Sequence, residues 1–234
     1  MVQAQTPERI KELMARAEGA EAFGMQFCRM RSEFQTSEVY RELFALASSL
    51  PTYVTNYRYG YNAGKSDEEL AAGILELADC GATLCDVMGD LFDKQDDEVA
   101  RDASAIERQM KLIDELHAKG TEVLMSSHVF QFTPAERVLE IALEHKRRGA
   151  DIAKIVTGAE TMEQQIENLR IVHLLKQELG IPFLFLAGGE SRILRRVGGT
   201  IGNCMTLCVV EYDELATKAQ PLLSEMKTLR ALLW

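Results

Sequence analysis

Apolar residues along this chain fall into two patterns that take turns. Short runs rich in apolar and β-forming residues occupy 22–30, 52–58, 82–88, 121–127, 151–157, 182–187 and 202–209. Between them, apolar residues recur every three or four positions at 7–18, 37–48, 67–81, 98–118, 134–148, 161–179, 190–197 and 217–232. The first pattern predicts strands and the second predicts helices. Ser66 before Asp67-Glu-Glu-Leu reads as an N-cap with acids in the first turn, and Gly120 reads as a helix stop.

Short runs that are mainly apolar, rather than alternating, suit parallel strands covered on both faces. Strand–helix units repeated this often, with short loops, predict a closed (β/α)8 TIM-type barrel or an open doubly wound sheet. The Gly-x-Gly-x-x-Gly that would mark a dinucleotide-binding sheet is missing after the first strand. The expectation is therefore an α/β fold, one (β/α)8 barrel spanning residues 1–234. Seven strands are clear. The eighth would come from Met1-Val-Gln-Ala, so the first strand is expected to be short or truncated.

At 234 residues and 47% hydrophobic composition, the chain can fill one large core. Its net charge of −10 argues against nucleic acid and anionic membranes as partners. Acidic runs such as Asp67-Glu68-Glu69 and Asp96-Asp97-Glu98 read as solvated faces and helix starts. No apolar stretch approaches the roughly 18 residues of a membrane span, and the first residues do not resemble a signal peptide. Five cysteines (28, 80, 85, 204, 208) lack metal-ligand spacing. They read as reduced thiols in a cytoplasmic protein, with no metal site expected.

In such barrels, chemistry collects at the C-terminal ends of the strands. Those positions hold Arg29, Arg58, Asp86, His128 and Lys154, then the Gly188-Gly189 loop. Lys154 is flanked by Ile152, Ala153, Ile155 and Val156, so its amine is expected to be desolvated, which disfavours the ammonium. A neutral buried amine can attack a ketone and form a Schiff base. His128 ends the preceding strand and can move the protons. Taken singly, a strand-end lysine usually reaches solvent and a lone histidine is usually structural. On successive strands of one fold they point together to imine chemistry. Two arginines nearby suggest a small keto acid carrying a carboxylate and hydroxyls. The bland alternative for Arg29 is a salt bridge at the rim.

Two segments resemble those of a known family. Met125-Ser-Ser-His-Val-Phe-Gln-Phe-Thr-Pro134 and Gly149-Ala-Asp-Ile-Ala-Lys-Ile155 look like the His and Lys segments of type I 3-dehydroquinate dehydratase. Tyr57-Arg58, Asp86, the Arg-containing helix after Gly188-Gly189, and Ala216-Thr-Lys-Ala-Gln220 follow in the same order. The resemblance runs from about Thr6 to the C-terminus. It implies a barrel, a homodimer, no cofactor, and conversion of 3-dehydroquinate to 3-dehydroshikimate in the shikimate pathway. Lys154 would be the nucleophile and His128 the general acid/base. Arg58 and one of Arg192, Arg195 and Arg196, with Arg195 the best match, would hold the carboxylate and hydroxyls. Arg29 and Asp86 would also contact substrate, and Gln220 would lie in the closing loop.

Several carboxylates of the family pattern are replaced. Phe27 and Cys28 stand where an acid precedes the second-strand Arg. Asn62 stands where the family has the Glu that pairs with the catalytic His. Met88 replaces a second acid of the fourth strand, Val129 follows His128 in place of Asp, and Ala216 or Thr217 replaces a Ser. These departures predict that His128 has lost its carboxylate partner. They also predict weaker hold on a polyhydroxylated ring unless Tyr59, Tyr61 and Asn62 supply contacts. Two alternatives stay open: another Lys-imine lyase or aldolase on a related keto acid, and a non-catalytic sensor of a shikimate-pathway ligand.

Overall fold

Short hydroxyl side chains start most of the early helices. Thr6 accepts from the backbone N–H of Arg9 to open α1 (Pro7–Arg16), with Pro7 at the first helical position. After β1 (Phe23–Gln26), Thr36 caps α2 (Ser37–Leu46) through the N–H of Val39. After β2 (Thr52–Thr55), Ser66 and Glu69 form a reciprocal capping box that opens α3 (Asp67–Asp79), as the sequence predicts. The chain continues as β3 (Leu84–Met88), α4 (Ala103–Ala118), β4 (Glu122–His128), α5 (Ala135–Arg147), β5 (Ile152–Thr157) and α6 (Met162–Glu178). It ends with β6 (Phe183–Ala187), α7 (Arg192–Ile201) and α8 (Leu223–Leu233). The computed structural model describes residues 1–189, 192–216 and 218–233, the Arg192 side chain excepted.

The chain divides into two compact units. The first takes residues 1–86, 114–122 and 208–228. In it β1, β2 and the start of β3 pair in parallel, from Phe23↔Thr52 to Gln26↔Thr55 and from Tyr53↔Leu84 to Thr55↔Asp86. Phe27 is fully buried and meets Tyr40 and Phe44 edge-on, with ring centroids 4.7 and 5.8 Å away. Arg9 and Arg16 of α1 both grip Glu211.

The second unit takes residues 87–113, 123–207 and the end of the chain. Here β4, β5 and β6 are parallel, with Leu124↔Ile152 to His128↔Val156 and Ala153↔Phe183 to Thr157↔Ala187. Ala153 and Ile155 pack with Val138 and Ile141 of α5 and Ile171, Val172 and Leu175 of α6. Val156 packs instead with Leu184 and Leu186 of β6 and with Met205 and Leu207. A strand alternates its faces with period two, so β5 has a helix-covered face and an opposite face.

The result is an α/β fold with parallel strands inside each unit. Six strands of two or more residues occur among the described residues, against the eight expected. Residues 1–4 contribute one parallel bridge, Val2↔Met25, and 202–209 contributes one, Val209↔Leu222. In the latter segment, the side-chain amide of Asn203 takes the place of strand backbone: its Oδ1 accepts from Phe185 N and its Nδ2 donates to Phe185 O, both at 2.9 Å. The run predicted at 22–30 ends early as β1 because residues 27–29 coil into a 3-10 turn. The helix expected from residue 98 begins at Ala103, for a reason that bears on the site.

Candidate functional site

Position along β4 and β5 places the side chains of His128 and Lys154. Ser126 is the register partner of Lys154, and His128 that of Val156. Partners in a parallel pair point the same way, so Ser126, His128, Lys154 and Val156 share one face, turned from α5 and α6. Two residues of rise and one strand spacing separate the Lys154 and His128 Cα atoms by about 8 Å. Both side chains are long enough to meet a common ligand. Lys154 is only 4% exposed, among apolar neighbours on β5 and β6. The predicted burial of this amine is what the structure shows.

His128 is held on three sides. Its Nδ1 lies 2.7 Å from Glu98 Oε2, and its backbone N–H donates to the same oxygen at 2.8 Å. Its ring stacks on Phe130, with centroids 5.7 Å apart and planes 21° from parallel. With Nδ1–H given to the carboxylate, a neutral ring carries its lone pair on Nε2. The turn after His128 is pinned to the end of β5: Val129 N donates to Val156 O at 2.8 Å and Gly158 N to Gln131 O at 3.0 Å. Gly158 permits this approach, because a Cβ there would sit 2.5 Å from Phe130 O.

Glu98 corrects the sequence reading. The loss of the family's loop acid at Asn62 predicts a histidine without a carboxylate, yet His128 has one. Glu98 belongs to the Asp96-Asp97-Glu98 run that reads as a solvated helix start. Instead, residues 98–102 form loop, and Glu98 has a left-handed backbone (φ 50°) that turns it toward the ring. Ser127 Oγ donates to Glu98 O at 2.7 Å and lies 3.0 Å from His145 Nε2. A left-handed glutamate has no signature in residue type, so no pattern in the sequence could have found it.

Arg195, on α7, donates from Nε to Ala187 O at the end of β6, 2.7 Å away. No acid pairs with it among the described residues, and burial pulls its guanidinium down to about 10. A desolvated cation that no described acid neutralises is a ready partner for an anionic ligand. The Arg192 side chain falls outside the described residues.

The other predicted site residues lie in the first unit. Arg58 is bidentate to Asp67, with both N–O distances 2.8 Å. The Arg29 guanidinium lies 4.8 Å over the Tyr59 ring, and its buried Nε has no hydrogen-bond partner among the described residues. It makes no rim salt bridge with an acid among the described residues. Asp86, buried, accepts from the hydroxyls of Tyr53 and Tyr57. Asn62 is fully buried, donates to Asn56 Oδ1 and Tyr57 O, and accepts from Lys65. Gln220 accepts weakly from Gln3, at 3.5 Å. Tyr59 and Tyr61 are exposed. Ala216 N is capped by Asp213, while Thr217 lies outside the described residues.

Comparison with known proteins bears on this constellation. Residues 97–233 match the family model described as type I 3-dehydroquinase. The 3-dehydroquinate dehydratase of Geobacillus thermodenitrificans is 33% identical over 92 residues, which is 38% of this chain and 36% of that protein. The enzyme of that name from Klebsiella pneumoniae is 28% identical over 189 residues, 79% of this chain and 70% of that protein. A crystal structure of type I 3-dehydroquinate dehydratase from Clostridium difficile, with covalently modified comenic acid, superposes with a TM-score of 0.81 at 17% identity. That match covers 99% of this chain and 90% of the other. The chain spans 36% and 43% of the length of the first two curated relatives it matches. With more than half of its residues inside the family model, including both His128 and Lys154, the chain belongs to the type I 3-dehydroquinase family.

Proposed function

We propose that this protein is a lyase that dehydrates 3-dehydroquinate to 3-dehydroshikimate through an imine on Lys154, as a step of the shikimate pathway. One observation carries the reading: a lysine only 4% exposed shares a strand face with a histidine whose ring is fixed by a carboxylate.

The Lys154 amine adds to the C3 ketone, and the carbinolamine loses water to give the iminium. The iminium acts as an electron sink, so a proton can leave C2. The C1 hydroxyl then departs as water once protonated. Hydrolysis of the product iminium returns the ketone and the free amine. His128 is the group that takes and returns these protons through Nε2. Arg195 is the carboxylate partner, its desolvated charge being offset when the substrate anion arrives. Arg29, Arg58, Asp86, Asn62 and Gln220 are proposed as further substrate contacts. The proposal includes one (β/α)8 barrel over residues 1–234, a homodimer, cytoplasmic residence and no organic cofactor. The covalent ligand of the Clostridium difficile relative fits a nucleophile in that fold.

A second reading has an observation of its own. The Arg58 fork and the Asn62 amide both have protein partners, and Asp86 accepts from two tyrosines. Groups so engaged are less ready to receive ring hydroxyls, which favours a lyase or aldolase acting on a less hydroxylated keto acid.

Borohydride reduction in the presence of 3-dehydroquinate, followed by peptide mass spectrometry, separates these readings. The expected result is a reduced ligand adduct on Lys154, absent in Lys154→Met. An adduct only with another keto acid selects the second reading. Ligand binding without any adduct removes the imine.

A further inference from the structure

The acid that faces His128 arrives from an unusual place, on a loop whose two feet are tied by one buried arginine. Residues 89–100 leave β3 and return to the same point: Ala100 N donates to Gly89 O at 2.9 Å. Arg148, 2% exposed at the end of α5, spans the closure. Its Nη1 donates to Gly89 O and its Nη2 to Ala100 O, both at 2.8 Å. Gln109 completes the clamp, receiving from Arg148 at 2.9 Å and donating to Gly89 O at 3.1 Å and Leu91 O at 2.7 Å. Glu144 lies 3.6 Å from the guanidinium, and Asp93 also acts on its charge.

Burying a guanidinium against carbonyls is costly, because neutral oxygens only partly replace water and a counter-ion. Here it fixes a loop that ends on a strained residue. Val99 inserts into the core beside Ala135 and Val138. Its neighbour Glu98 is left-handed and turned to the ring. Gly89 leaves room for this, since a Cβ there would lie 2.6 Å from Glu98 O and 2.7 Å from Ser127 Oγ. The outer loop is stiffened as well: Asp93 accepts from the N–H groups of Arg101 and Asp102, and Asp97 is gripped by Arg101 and Arg137. Strain of this kind persists only where its surroundings over-determine it.

We propose that Glu98 is the positioning residue for His128, and that the Arg148–Gln109 clamp is what holds Glu98 under the ring. The carboxylate orients the imidazole, selects the Nδ1–H tautomer, and stabilises the imidazolium formed when Nε2 takes a proton. It supplies from the β3–α4 loop the acid that the loop after Arg58 lacks. The catalytic consequence rests on the role given to His128 above; the tautomer does not.

The test is long-range 1H–15N spectroscopy of the four histidine rings, with His128 assigned by its loss in His128→Asn, at a pH where the ring is neutral. The parent protein is expected to show a protonated Nδ1 and a bare Nε2. Glu98→Ala should convert the ring to the Nε2–H form that free imidazole side chains prefer. It should also lower kcat by roughly 10²-fold with little change in KM. Arg148→Lys keeps a charge but loses the fork, and Gln109→Met loses the second support. Each should give a mixture of tautomers and a kcat loss of about tenfold, with the amide spectrum of a folded protein. An Nδ1–H ring unchanged in Glu98→Ala would overturn the positioning role. A ring unchanged in both clamp variants would overturn the clamp. If the parent ring is Nδ1–H but 3-dehydroquinate is not turned over, the dehydratase reading fails while the assignment of Glu98 stands.

Discussion

Lys154 and Glu98 mark opposite ends of what residue-level reasoning can reach. Lys154 is legible because apolar neighbours on both sides fix its strand, and the strand's burial carries the amine inside. Glu98 is illegible because an acid beside two other acids is the ordinary mark of a wet helix start. Its role comes from one backbone torsion and a tether formed by residues distant in sequence. The same contrast separates Arg195 from Arg58. By pattern Arg58 ends a strand and Arg195 lies in the helix after Gly188-Gly189, but only coordinates show that Arg58 is bidentate to Asp67 while Arg195 meets no acid among the described residues. At this scale the sharpest expectation concerns the histidine. His128→Ala should reduce turnover of 3-dehydroquinate by on the order of 10²–10⁴ while the adduct on Lys154 still forms, slowly. Steady-state rates within tenfold of the parent would assign the proton transfers to another group.

Elements were readable in kind and order, and misjudged mainly at their ends. Every predicted helix and six of the predicted strands exist, since periodicity reports burial and burial is what secondary structure organises. The misjudged ends are places where side chains or turns replace ladder hydrogen bonds: the 3-10 turn after β1, the tethered loop before α4, and the Asn203 amide against β6. The seam between β4 and β5 makes a prediction. Gly158 lies against Phe130 O, so Gly158→Ala forces the turn that carries the stacked ring to move. Overpacking of this kind costs typically 1–3 kcal/mol. A chemical denaturation curve should show that loss with the slope unchanged, and His128 should lose its stacking shift in the same variant. Wild-type stability would mean that the turn yields freely and does not hold the ring.

For the whole molecule, acids held below their ordinary pKa in the folded state make stability respond to pH. Glu211 is held at about 2 by hydrogen bonds from Arg16 and Arg9, below an ordinary glutamate value of about 4.3. A carboxyl with a depressed folded-state value adds stability above its unfolded value and loses it as pH falls toward the folded one. The melting temperature should therefore drop between about pH 4.3 and 2, less steeply in Glu211→Gln and in high salt, which screens this partly exposed cluster. Superimposable acid limbs for parent and variant would show that the cluster contributes nothing. The Asn203 amide has a consequence for molecules in company. By occupying both the donor and the acceptor of Phe185, it caps the open side of the last strand, where bare peptide groups would otherwise recruit a strand from another chain. Asn203→Ala should leave that template uncovered, and light scattering on mild heating should then rise well before the parent protein begins to clump.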